Sequence, residues 1–240
     1  MNKTAISLKD KINNGGICIG AVTSVQAGKD EVKKILETGK YDYLSIDSQH
    51  AAFNEEKVVE FCQMVSGFNS HVQFRIKHTR HAYLIGNMLD LGPQGIEVPQ
   101  VELVETAEEA VKNFYYPKKG ARSWGGAQRF GLASNTDRLE YANWWNQYGV
   151  LWLQIESIYA VEKARAFALQ GVDCLSFGPA DLTFNLEANP NYRLKNVDAC
   201  VQEVVNKLAG LNAKVCFRNY TEETRQKYID MGVTVFLERP

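Results

Sequence analysis

The chain has 240 residues, 45 % hydrophobic and 23 % charged, which fits an ordinary globular protein able to bury a sizeable core. A formal net charge of −1, with acids and bases interspersed, leaves no basic stripe for nucleic acid and no acidic tail. A charged N-terminus argues against a secretory signal and the lack of any apolar run of roughly 18 residues against a membrane-spanning helix, so a cytoplasmic location is expected.

Along the chain, short apolar, β-branched runs alternate with longer segments of helical period. Strands are predicted at ICIGAV (the 18–22 region), YLSID (43–47), VQFRI (72–76), GIEVP (95–99), VLWLQIE (150–156), DCLSFG (173–178), AKVCFR (213–218) and VTVFLE (233–238). Most lack strict apolar/polar alternation, as parallel strands covered on both faces do. Gly39, Gly92 and Gly171 stand where a left-handed residue closes a helix. Thr106 with Glu109 reads as a capping box for a helix with a Val104/Val111/Phe114 stripe, stopped by Pro117. Residues 118–149 hold Trp124, Trp144, Trp145 and the run GARSWGG, and read as a loop-rich insertion at a barrel mouth. Thr221, Glu222 and Glu223 open a further helix that ends at Gly232. Cysteines 18, 62, 174, 200 and 216 form no C-x-x-C pair; those in apolar runs read as buried thiols of a reducing compartment. Eight strand–helix units in one domain, 1–240, argue for a closed (β/α)₈ TIM barrel, with an open doubly wound sheet as the alternative.

Such a barrel builds its active site at the C-terminal ends of its strands. Asp47 and His50 follow strand two, Arg75 ends strand three, Gln154 and Glu156 end strand five, and Asp181 follows strand six. Glu156 and Asp181, with no His/Cys cluster beside them, suit a hard divalent cation, Mg²⁺ or Mn²⁺, that a 2-oxo acid would chelate. Ordinary salt bridges at the barrel mouth are the alternative. Arg75 is placed to stabilise negative charge on a keto oxygen, or else to pair with Asp47. In GPADL, Pro179 after Gly178 pre-sets a helix start and frees the amides of Ala180 and Asp181 for a carboxylate. His50 suits acid/base duty. His71, His78 and His81 read as surface or helix-start residues, and no lysine is placed for Schiff-base chemistry.

Together these segments resemble the HpcH/HpaI family of metal-dependent (class II) pyruvate aldolases, in the phosphoenolpyruvate/pyruvate-binding TIM-barrel superfamily. The resemblance runs from about residue 8 to the last strand, through IDSQH (46–50), FRI (74–76), MLDLGPQGIEVPQV (88–101), YYPKKGARSWGG (115–126), LQIES (153–157) and FGPADLT (177–183). It implies Glu156 and Asp181 as metal ligands, with Co²⁺ a further candidate ion, and Arg75 as the enolate-stabilising arginine. His50 would be the catalytic histidine, paired with Asp90 from a neighbouring subunit of a homo-oligomer (trimer or hexamer). Gln154 would contact metal shell and substrate, and Gly178 to Asp181 would hold the pyruvate carboxylate. The implied reaction is reversible cleavage of a 4-hydroxy-2-oxo acid to pyruvate and an aldehyde through a pyruvate enolate.

Three departures mark the chain. Gln49 stands where the family has a glutamate before the histidine. Ser123 and Trp124 replace smaller residues in the glycine loop, which places Trp124 beside the aldehyde pocket. The sequence ends at FLERP, without the family's final C-terminal helix. The alternatives are a same-superfamily carbon–carbon enzyme with another acceptor (citrate synthase-like, malyl-CoA lyase-like or a biosynthetic condensation) and a non-catalytic ligand-binding barrel.

Overall fold

The computed structural model describes residues 6–132 and 137–240; residues 1–5 of the N-terminal stretch and 133–136 of the 118–149 stretch lie outside the described residues. Eight parallel strands close on themselves in sequence order: β1 (Cys18–Val22), β2 (Tyr43–Asp47), β3 (His71–Arg75), β4 (Gly95–Val98), β5 (Val150–Ile155), β6 (Cys174–Phe177), β7 (Lys214–Tyr220) and β8 (Val235–Glu238). β8 pairs with β1, Cys18 opposite Val235, so no open edge remains and the doubly wound alternative falls. All eight predicted strands are present, with ends shifted by a residue or two.

Helices α1 (Leu8–Asn13), α2 (Lys29–Glu37), α3 (Glu55–Ser66), α4 (Ile85–Leu89), α5 (Val104–Phe114), α6 (Arg138–Tyr148), α7 (Ile158–Phe167), α8 (Pro179–Ala188), α9 (Val197–Lys207) and α10 (Arg225–Asp230) complete the order. Gly39, Gly92 and Gly171 adopt φ of +65°, +112° and +108°, as their helix-closing positions require. The predicted capping box does not form. Helix α5 begins at Val104 with Leu103 at the cap and no side-chain cap bond, so Thr106 and Glu109 lie inside it. The buried face Ala107/Ala110/Phe114 sets its start. Thr221 likewise precedes only a short 3₁₀ turn, without a cap bond, before α10.

The 118–149 stretch is less loop-rich than expected. Its second half is α6, which Asp137 caps by accepting from the amides of Leu139 and Glu140. Trp144 and Trp145 ride on that helix, and the Trp145 indole donates to the Phe114 carbonyl, tying α6 to the end of α5.

Two apolar cores result. The larger lies between strands and helices. The smaller fills the lower lumen with inward side chains including Cys18, Tyr43, Trp152, Cys174, Cys216 and Val235. Gly20 makes this possible, since a Cβ there would lie 2.0 Å from the Tyr43 ring. The Tyr43 ring meets Trp152 edge-on at 5.3 Å, and its hydroxyl donates to the Phe236 carbonyl at 2.6 Å. Leu8 and Ile12 of α1 join this cluster from below. Lys9 locks α1 in place through a buried ion pair with Asp173 at 2.8 Å and a bond to the Gly149 carbonyl at 2.7 Å. All five cysteines are buried and free, and burial pushes the Cys18 thiol up to about 12, so none is poised as a nucleophile. His71 departs from its surface expectation. It opens β3 facing the lumen, its ring Nε2 3.2 Å from Gln73 Oε1, and burial holds it down near 4.

Candidate active site

Above the apolar layer the lumen turns polar, and strand register decides which side chains meet there. Asp47, Arg75 and Glu97 are successive partners across β2, β3 and β4, and Gln154 and Ser176 are partners across β5 and β6. Partners in neighbouring parallel strands share a face, so all five point inward together. Arg75 forks onto Asp47, Nε to Oδ1 at 2.8 Å and Nη2 to Oδ2 at 2.5 Å, while Nη1 reaches Gln154 Oε1 at 3.3 Å. The pairing weighed in the sequence therefore forms, and it fixes the guanidinium within the lumen. Burial works against the Asp47 carboxylate, but the bonds and charge of Arg75 outweigh it and hold its pKa below the usual range. Asp47 also accepts from the amides of Gln49 at 2.9 Å and His50 at 3.4 Å, so one carboxylate organises both Arg75 and the His50 loop. His50 is exposed, and the side-chain oxygen of Gln49 is buried without a hydrogen-bond partner.

Glu156 and Asp181 meet beside this row. Glu156 is 6 % exposed and its Oε1 accepts from the Gln100 amide at 3.1 Å. Gln100 holds that amide in place with φ of +48°, a left-handed conformation that a non-glycine residue adopts at a cost. Gly178 is obligatory on the other side: a Cβ there would stand 2.2 Å from Glu156 Oε2 and 2.8 Å from Gln154 Nε2. Burial first, then the charge of Asp181 hydrogen-bonded to it, push the Glu156 carboxyl up to about 8. Helix α8 starts here, with Gly178 at its cap and Pro179 in its first turn. Among the described residues no side chain caps this terminus, so the first-turn amides of α8 have no capping acceptor from a side chain. The cleft measures about 400 Å³ and is lined by Thr79, Gln100, Glu156, Ser157, Asp181 and Phe184, among others.

The fit of a divalent cation rests on this donor set. The two carboxylates meet at the edge of the cleft, and the charge of Asp181 raises the cost of charge on the buried Glu156, which a hard cation between them would relieve. Among the described residues no group of three or more His, Cys, Asp or Glu side chains offers a softer or fuller site.

Two expected site residues lie apart. Asp90 caps the end of α4 and pairs with Arg122 at 2.8 Å; burial raises its carboxyl while Arg122 pulls the other way. Trp124 does not line the cleft. Its ring packs against Tyr116 and Tyr141, with the Arg129 guanidinium 3.9 Å above it. Bulk in the glycine loop here fills an aromatic cluster against α6. Sequence alone places Asp47 among the strand-end residues of the pocket, with pairing to Arg75 as its one stated role, and it gives no sign of Gln100, Glu97, Ser176 or Arg218. Asp47 had a usable signal, its place at the end of a strand; Gln100 and the others had none without register.

Comparison with known proteins follows the same outline. The family described as HpcH/HpaI aldolase/citrate lyase matches residues 25–228. A 4-hydroxy-2-oxo-heptane-1,7-dioate aldolase of Klebsiella pneumoniae is 27 % identical over 234 residues, covering 94 % of this chain and 84 % of that protein. The crystal structure of an HpcH/HpaI aldolase from Desulfitobacterium hafniense superposes with a TM-score of 0.85 at 26 % identity, over 98 % of this chain and 90 % of that one. The citrate synthase SbnG superposes with a TM-score of 0.81 at 25 % identity, over 98 % and 91 %.

Proposed function

The chain belongs to the HpcH/HpaI aldolase/citrate lyase family, and we propose that it is a carbon–carbon lyase that reversibly cleaves a 4-hydroxy-2-oxo acid to pyruvate and an aldehyde. The observation that carries this reading is the Glu156–Asp181 carboxylate pair beside the Arg75–Gln154 bond at the C-terminal ends of β3, β5 and β6.

Glu156 and Asp181 would hold a divalent cation, Mg²⁺, Mn²⁺ or Co²⁺. When bound, that ion supplies Lewis-acid polarisation of the 2-oxo group. The chain's own residues do the rest. The α8 amides of Ala180 and Asp181 take the substrate carboxylate and, with Gly178 and Pro179, fix its orientation. Arg75, clamped by Asp47, aims its guanidinium where the keto oxygen gains charge as an enolate develops. Its fixed fork means little reorganisation as that charge grows. Gln154 ties Arg75 to the strand that carries Glu156. His50, on the loop Asp47 orders, moves the proton between the 4-hydroxyl and solvent. Asp90 is assigned as the carboxylate that steadies His50 of a second copy in a homo-oligomer. Five buried free thiols support a reducing, cytoplasmic setting; among the described residues no helix is long and apolar enough to cross a membrane.

Likeness to SbnG supports a second reading, the same enolate chemistry with another electrophile. One assay separates them: pyruvate release from oxaloacetate and from a panel of 4-hydroxy-2-oxo acids, with each metal or with EDTA. The aldolase reading expects metal-dependent release from the panel, reduced about 10²–10³-fold in Arg75→Ala and Glu156→Ala. Release from oxaloacetate alone would favour the second electrophile, and no release from a folded protein would defeat both.

A further inference from the structure

We propose that Gln100 is a positioning residue for the cation site: its left-handed turn engages one oxygen of Glu156 and leaves the other for a divalent ion. This rests on the metal-dependent reading above and adds what keeps the ligand in place.

Among the described residues, the non-glycine residues with positive φ are Asn69, Gln100 and Lys118, at +53°, +48° and +70°. Asn69 follows α3 and Lys118 follows α5, where a left-handed residue commonly closes a helix. Gln100 instead follows a strand, two residues beyond the end of β4. A side chain at positive φ costs free energy unless the surroundings impose it, and such residues gather at functional sites.

What imposes it here is the end of β5. The Gln100 amide donates to Glu156 Oε1 at 3.1 Å, and the next amide, that of Val101, donates to the Gln154 carbonyl at 2.9 Å. One residue further, Glu102 accepts from the Ser157 hydroxyl at 2.6 Å. Three successive residues of one loop thus grip Glu156, Gln154 and Ser157. In an extended strand successive amides point to opposite sides, so the amides of residues 100 and 101 could not both face β5. The dihedral angles of Gln100 set the relative direction of those two amides, and a left-handed residue brings them to one side.

The consequence falls on Glu156. With Oε1 engaged, Oε2 lies on the Gly178 side, where a Cβ would stand 2.2 Å from it, and Gly178 heads the helix that carries Asp181. Oε2 is therefore the oxygen presented toward the second carboxylate. Hydrogen-bond partners behind ligating side chains fix their orientation, and a backbone amide does so without adding a titrating group.

The test is Mn²⁺ titration of folded, EDTA-stripped protein, with free Mn²⁺ read by electron paramagnetic resonance. Q100V places a β-branched residue where φ must be positive, which turns the amide off Glu156, and its Kd is expected to rise about ten- to a hundredfold. Q100G, at ease in that conformation, and Q100A, which loses only the carboxamide, are expected to stay within about threefold of wild type. Should Q100V not fold, the amide resonance of Gln100 in wild-type protein serves instead; it is expected to shift when Mg²⁺ is added and to move upfield in E156A. Wild-type affinity in Q100V, a loss in Q100G or Q100A as large as that in Q100V, or a resonance that neither Mg²⁺ nor E156A moves overturns the assignment. A role in stability alone would lower Tm in Q100V and leave Kd unchanged. Wild-type protein that binds no Mn²⁺ defeats the metal-dependent reading together with this inference. Protein that binds Mn²⁺ but releases no pyruvate defeats the aldolase reading and leaves the role of Gln100 standing.

Discussion

The lower and upper halves of the barrel lumen are built on the same eight strands and follow opposite rules. Below, Tyr43, Trp152, three cysteines and Val235 interdigitate around a glycine, and ring edges and volumes decide what fits. Above, Asp47, Arg75, Glu97, Gln154, Ser176 and Arg218 are joined by hydrogen bonds, with Glu156 and Asp181 left as two acids against each other. The lower half gains stability from packing. The upper half spends desolvation on charged groups that packed hydrocarbon would outperform. The contrast assigns cohesion to one layer and reactivity to the other.

The sharpest way to break that contrast is to injure the lower half alone. Trp152→Ala leaves a large cavity and is expected to cost about 3–5 kcal/mol in denaturant unfolding. Activity per folded molecule should stay near wild type; a matching loss of kcat would show that the layers are coupled. The converse change is Glu156→Gln, which removes one of two opposed carboxylates. Metal-free Tm should hold or rise, while the stabilisation that saturating Mn²⁺ gives wild type, about 2.7 kcal/mol at a hundredfold excess over Kd, should vanish. Retention of the metal-induced shift would remove Glu156 from the ligand set.

A smaller effect sharpens the comparison by asking the lower half to accept a charge. His71 is held near 4 by burial, with Gln73 opposing and the charge of Lys9 assisting. Its unfolded value is near 6.5, so between these limits the unfolded chain binds the extra proton. Stability contributed by the neutral ring is full above pH 6.5 and lost as pH falls toward 4, by about 2–3 kcal/mol. His71→Asn, measured by urea unfolding across that range, should flatten this part of the profile. An unchanged slope would assign it to the carboxylates.

How much of this was legible beforehand follows the same division. The strands announced themselves because each is a β-branched run bounded by turn residues, and a buried parallel strand has no other way to be written. Glu156, Asp181 and Arg75 were visible because they stand at strand ends, and Gly178 because it precedes Pro179. Inward and outward positions were not visible, since a slip of one residue exchanges them. That is why His71 read as a surface residue and Glu97, Ser176 and Arg218 went unremarked. Helix α6 is hidden for another reason: the tryptophans and the glycine-rich GARSWGG run read as a mouth loop, although Asp137 at the cap and the apolar Tyr141 and Trp145 one turn apart carry a helical signal.

The α1 cork bears on the order of events during turnover. Held by the Lys9–Asp173 pair beneath a packed floor, it turns the barrel into a well with one opening. On the proposed reaction, with pyruvate taken by the carboxylates and α8, pyruvate would descend first and the aldehyde would settle after it. In cleavage the traffic would reverse, the aldehyde leaving first and pyruvate last, so product inhibition by pyruvate is expected to be competitive with the 4-hydroxy-2-oxo acid and that by the aldehyde noncompetitive.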